Sequence, residues 1–328
     1  MHPRCLLVLV TGSPQRLHGQ RLRGALALLC AHLVVALIAL VVIGGVTRVM
    51  EAGLACPDWP LCYGTLLPGR QMNLKVFLEW FHRLDAFVVG VALLVLAAVS
   101  WLRRSQLPGW LPWAATAALA LVAAQGALGA LTVTHLLEAS TVTAHLATAL
   151  ALVLGMAALH QALLCSLAPE PPTAPSLPWK LAALLAGLLV PAQCLLGGAM
   201  ASRWAAERCF TAGESCRWLL LHRMGAWPAA LSLLVLAVLS LGLPTPQAPL
   251  RRLSLVALLL VATQVALGIL SLRLQLSQAA VTAAHQLVAA LLVALIGALW
   301  GRGLLRRSAA DVPSLAPSPS FLSEALRG

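Results

Sequence analysis

The stretch VTAHLATALALVLGMAALHQALL, residues 142–164, contains no Asp, Glu, Lys or Arg and is long enough to cross a bilayer as one helix. It places a histidine, His145, about a turn inside its leading end. Later in the chain the theme returns as VTAAHQLVAAL, 281–291, with His285 in the corresponding place. The repetition extends upstream. FHRLDA around His82 matches LHRMGA around His222, and the interval from 82 to 145 equals the interval from 222 to 285. QGALGALTV (125–133) matches QVALGILSL (264–272), and VVIGGVTR (41–48) matches CLLGGAMASR (194–203). Self-similarity at a fixed offset is an architectural signal, and here it marks a duplicated unit.

The composition agrees with a membrane protein. Of 328 residues, 60% are hydrophobic and 10% charged, against about 25% charged in a soluble domain. Apolar spans are expected near 25–45, 75–100, 111–132, 140–164, 179–200, 218–241, 253–272 and 279–300. Each should be a helix, because lipid offers the backbone no other hydrogen-bond partner. The expected fold is an all-α membrane protein of eight transmembrane helices, arranged as two pseudo-symmetric four-helix bundles. Four spans per unit return the chain to its starting side, so the repeats run parallel in the membrane. The net charge of +12 reads as topology and not as a nucleic-acid surface. One set of loops holds Arg4, Arg16, Arg21, Arg23, Arg103, Arg104, Lys180, Arg251, Arg252 and the basic residues beyond 300. That excess places both termini in the cytoplasm. The expected organisation is an N-terminal segment 1–23, a first bundle 24–166, a linker 167–178, a second bundle 179–302 and a disordered tail 303–328.

Histidines 82, 145, 222 and 285 all fall a few residues inside the outer ends of their spans. Ionisable groups at that depth are costly and usually functional. Two histidines facing each other in a four-helix bundle suit a metal centre, and imidazole nitrogens are good axial ligands for heme iron. Hydrogen-bonded core histidines would explain one such residue better than four in duplicate. Zinc is the weaker metal, since nothing offers a third or fourth ligand. His32, His135 and His160 lack repeat partners. Arg83 and Arg223 each follow a histidine, and either heme propionates or lipid headgroups would satisfy them.

The halves differ at one telling place. Glu79 stands one turn before His82 on the same helix face, and its counterpart is Leu219. A buried carboxylate is suited to proton exchange, which makes the first half the reactive one. The alternative is an ion pair with Lys75. Asp85, opposite Gly225 in the repeat, has no assigned role.

These residues resemble the heme A synthase family, which converts heme O to heme A. The likeness rests on GGVTRVMEAGLACPDWPLCYG (44–64), EWFHR (79–83), QGALGALTV with His145, and the second copies around His222 and His285. It covers almost all of residues 24–300. Asp85 departs from the family pattern, where the His-Arg pair is usually followed by glycine or an apolar residue. The resemblance implies heme b held by His222 and His285, heme O as substrate near His82 and His145, and an essential Glu79. It implies oxidation of a porphyrin ring methyl to a formyl group by successive hydroxylations, for terminal oxidase assembly. It also implies a bacterial inner-membrane location, with heme O synthase and an electron-transfer protein as partners; a homo-oligomer is left open. A diheme b-type cytochrome that only relays electrons, and a transporter built from two parallel repeats, are the rival readings.

Cys56 and Cys62 flank one outward loop segment, and Cys209 and Cys216 another. Each pair is placed to form a disulfide on the oxidising side. Loops this short gain only about 2 kcal/mol from closure, so loop shape or redox chemistry is the better reason for them. For Cys56–Cys62 both readings stand; for Cys209–Cys216 a staple is preferred.

Overall fold

A computed structural model describes residues 14–167, 174–200 and 216–305. Residues 1–13, part of the expected linker, Cys209 and the tail from 306 lie outside the described residues. Eight long helices are present among the described residues: α1 (Pro14–Val49), α2 (Leu74–Leu102), α3 (Leu111–Thr134), α4 (Ala139–Cys165), α5 (Leu177–Met200), α6 (Arg217–Leu241), α7 (Ala248–Arg273) and α8 (Ala279–Gly303). All eight are long and apolar enough to cross a membrane. No strand is formed among the described residues; one isolated bridge joins Cys62 to Thr65.

Every expected span is matched by a helix, and α1 overruns its span at the polar end. There Arg23 donates through Nε and Nη2 to the carbonyl of Gln106, each at 3.3 Å. That carbonyl belongs to the short turn joining α2 to α3, so the basic start of α1 is tied down. At the opposite end Asn73 caps α2, its side-chain oxygen accepting from the N–H groups of Lys75 and Val76.

Within each half the helices pack as a closed ring. α1 lies against α2 and α4, α2 against α3, and α3 against α4; α5 to α8 pair in the same way. The halves meet chiefly through α4 and α8, with α1 on α8 and α4 on α5 beside that contact. Lipid tails are as apolar as leucine, so helices in a membrane associate by close packing and internal polar bonds. Gly297 and Gly301, one turn apart on α8, supply the close approach: a Cβ at either would run into the carbonyl oxygen of Leu154 or Ala158 on α4. Arg302 adds a 2.6 Å bond from Nε to Gln161 Oε1 across the same seam.

The turns at the histidine-bearing end repeat as well. Leu136 and Leu137 after α3, and Gln275 and Leu276 after α7, all have positive φ, between 49° and 62°. Left-handed backbone costs a non-glycine residue roughly 1–2 kcal/mol. In both turns the second such residue returns its N–H to a carbonyl five residues back, Thr132 or Ser271.

Candidate functional site: two buried histidine pairs

All four repeated histidines sit in the opening turns of α2, α4, α6 and α8. At about 1.5 Å per residue this is roughly 8–12 Å inside the helix starts. The structure brings them together as the spacing implies. His82 and His145 lie within electrostatic range of each other, and so do His222 and His285.

Each imidazole rests on a glycine of the preceding helix. A Cβ on Gly44 would stand 3.1 Å from His82 Cε1, and one on Gly129 would stand 3.5 Å from His145 Cε1. In the second half Gly197 meets His222 at 2.9 Å, and Gly268 meets His285 at 3.1 Å. The small residues in the repeated GG and ALG motifs therefore make room for rings. The second glycine of each GG pair reaches across the molecule. A Cβ on Gly45 would strike Gln286, the neighbour of His285, and one on Gly198 would strike Leu146, the neighbour of His145. Arg48 joins the same seam, donating to the Gly198 carbonyl at 2.9 Å.

The ring nitrogens are arranged as a pair of ligands per half would need. Nδ1 of His82, of His145 and of His285 is buried with no hydrogen-bond partner. His222 Nδ1 lies 3.0 Å from the Gln193 amide, which also donates to the His222 carbonyl at 2.7 Å. Gln264 reaches His285 Nε2 at 3.2 Å. Polar neighbours of this kind fix the ring plane of a ligating histidine. Among the described residues no three His, Cys, Asp or Glu side chains converge as a metal cluster. Two imidazoles per bundle, each set against a glycine, are the side chains that could hold a heme. By contrast His160 and His32 bond through Nδ1 to the carbonyls of Ala27 and Leu28, the packing role that their lack of repeat partners suggests.

Glu79 takes a position that its helix face alone does not reveal. It is 4% exposed. Its Oε2 accepts from the Cys56 N–H at 2.8 Å, and its Oε1 pairs with Arg83. The partner is therefore Arg83 at i+4 and not Lys75. Arg83 in turn donates to the carbonyls of Cys56, Asp58 and Leu61. Its donors go to the loop, where the spacing suggested a propionate or a headgroup. Cys56 and Cys62 are disulfide-linked, so Glu79, Arg83 and the loop form one clasp above His82. On the outer edge of that loop Asp58 accepts from the N–H groups of Gly64 and Tyr63, bonds that hold its carboxyl below the usual range.

The two helices that carry His82 and His222 also trade neighbours. Gly225 makes room for Gln193, whose side chain a Cβ there would meet. Counted from the GG pairs, the position of Gln193 is taken in the first half by Leu40, and Asp85 stands where Gly225 stands. Asp85 makes no ion pair among the described residues. Arg223 is exposed at the same end as His222.

Cys216 is disulfide-bonded. If its partner is Cys209, mass spectrometry of unreduced, alkylated protein from membranes should find neither thiol modified. Two alkylated thiols at these positions would refute the pairing.

The fold and the site define an integral membrane protein built from two histidine-paired four-helix rings. Residues 26–296 match the profile of the COX15-CtaA family, described as cytochrome oxidase assembly proteins. The chain belongs to this family. It is 31% identical to a heme A synthase of Sphingopyxis alaskensis, over 87% of this chain and 94% of that protein. It is likewise 31% identical to a heme A synthase of Rhizorhabdus wittichii, over 81% of this chain and 90% of the other. A shorter stretch, 33% of this chain, is 36% identical to 22% of a protoheme IX farnesyltransferase of Haloarcula marismortui.

Proposed function

We propose that this protein is a heme A synthase, an oxidoreductase that converts a ring methyl of heme O to a formyl group. The observation that carries the reading is the duplicated histidine pair, with a buried carboxylate at position 79 beside the first pair and leucine at its counterpart, 219. His82 and His145 would receive heme O as substrate, in the half spanning residues 24–166. His222 and His285 would hold heme b, in the half spanning 179–302. When bound there, heme b supplies a one-electron redox centre. Gln193 and Gln264 orient the rings that hold it, and Arg223 is the cation we assign to its carboxylates. In the reacting half the glycines at 44 and 129 make room for the two imidazoles. Glu79, one turn before His82 on the same helix, supplies a carboxylate that Arg83 balances and that is available to accept a proton near the substrate.

The same reading places the chain in a bacterial inner membrane with both termini in the cytoplasm. It makes heme O synthase a partner, supported by the partial likeness to protoheme IX farnesyltransferases, together with an electron-transfer protein. Heme extraction from membranes that also make heme O tests the proposal. Heme A should appear only when this protein is expressed. Bound heme without any formyl heme would favour a diheme electron carrier, and purified protein with no Soret band would favour a transporter.

A further inference from the structure

Below the first histidine pair, α2 and α3 part to leave an apolar groove of about 300 Å³. Ala86, Phe87, Gly90 and Val91 of α2 line it, with Val122 and Ala123 of α3 opposite. It starts one turn from His82, at Ala86. On the α3 side it ends near Gly126, one turn before the Gly129 that supports His145. From Ala86 to Leu94 it runs about 12 Å along α2. It opens to the lipid, with Phe87 68% exposed.

The internal duplication supplies a control. In the second half Ala86, Val122 and Ala123 are matched by Ala226, Val261 and Ala262, with no change of residue. Of the other lining positions Leu94 and Leu119 are matched by Leu234 and Leu258, while Phe87 is matched by Trp227, Gly90 by Ala230 and Val91 by Leu231, each a larger residue. Next to them Gly126 is matched by Val265. A Cβ built on Gly90 or Gly126 meets nothing within 4 Å, so neither glycine is required by packing. At every position of this set that varies, the second half carries the larger side chain.

We propose that this groove receives the farnesyl-derived tail of heme O, and that it is what fits the first half to a tailed heme and the second to a tailless one. The proposal rests on the heme A synthase reading. Heme O carries its long apolar chain on the edge of the macrocycle away from the carboxylates. A heme held by His82 and His145 with its carboxylates toward the loops would direct that chain down between α2 and α3. No bond is made or broken; the groove contributes apolar contact and excludes nothing that protoheme presents. Gly90 and Val91 thereby become specificity-determining residues.

The test uses the full-length protein, with Gly90→Leu and Val91→Leu made separately so that loss of one fold does not end the experiment. Heme O and protoheme are titrated and followed at the Soret band. Kinetic constants for heme A formation are measured in parallel. Both variants should raise the Kd and KM for heme O about tenfold, the scale on which a methylene or two is discriminated. They should leave kcat, protoheme affinity and the heme b content of the second half unchanged. An unaltered preference between heme O and protoheme, the result if only lipid chains fill the groove, would overturn the proposal. So would equal loss of both hemes, which would mean local collapse. Wild-type protein that neither binds heme O nor makes heme A would instead remove the enzyme reading on which the proposal stands.

Discussion

Glu79→Gln is expected to lower the heme A formed per bound heme b by about 10²–10⁴-fold, the usual contribution of a general acid–base group. Heme b at His222 and His285 should be retained, because α6 and α8 take nothing from Glu79. The amide can still accept from the Cys56 N–H. It cannot neutralise Arg83, whose side chain is only 15% exposed. Breaking a buried pair from one side costs roughly 3–5 kcal/mol, so a fall in yield and heat stability should accompany the catalytic loss. Normalising heme A to bound heme b separates the two effects. A clasp that serves only to hold the Cys56–Cys62 loop predicts lower yield with turnover per folded molecule preserved. Turnover near the wild-type value would make the carboxylate architectural and remove the division between a reacting half and a holding half.

His222→Ala and His285→Ala should each remove or destabilise the low-spin heme b of the second half. Each ring has a glycine behind it and a glutamine amide beside it, and among the described residues no group of three His, Cys, Asp or Glu side chains stands by as an alternative set of ligands. The measurement is the reduced-minus-oxidised spectrum with heme quantified per protein. Gln193→Leu should do less, because the first half manages with Leu40 at the corresponding position. If both alanine variants kept full stoichiometric low-spin heme b with an unchanged spectrum, the assignment would be wrong.

The eight helices were legible because a span in lipid has one backbone solution, and hydropathy reports it directly. The four histidines were legible because a duplication repeats what both halves need. The same logic explains what was missed. Gln193 has no copy, so comparing the halves could not raise it. The pairing of Glu79 with Arg83 was written in the chain as an i, i+4 spacing of opposite charges. Lys75, at i−4 from Glu79, offers a competing cation at the same spacing. Three of the Arg83 acceptors are backbone carbonyls of a loop, and no side-chain pattern encodes those. The glycines of the GG and ALG motifs were visible as repeats, but their purpose emerged only once an imidazole lay against each.

The crossed glycine contacts have a consequence for how such a chain can drift. Gly44 answers to its own half and Gly45 to the other; the same is true of Gly197 and Gly198. Two identical ancestors meeting as a pair would have made one kind of contact twice. In the fused descendant that contact has become two separate ones, Gly45 with Gln286 and Gly198 with Leu146, each able to change alone. Positions 79 and 219 sit away from this seam and have been free to part company. A substitution at 45 or 198, by contrast, alters a contact that both halves share, so chemistry can specialise on one side only while the seam stays conservative.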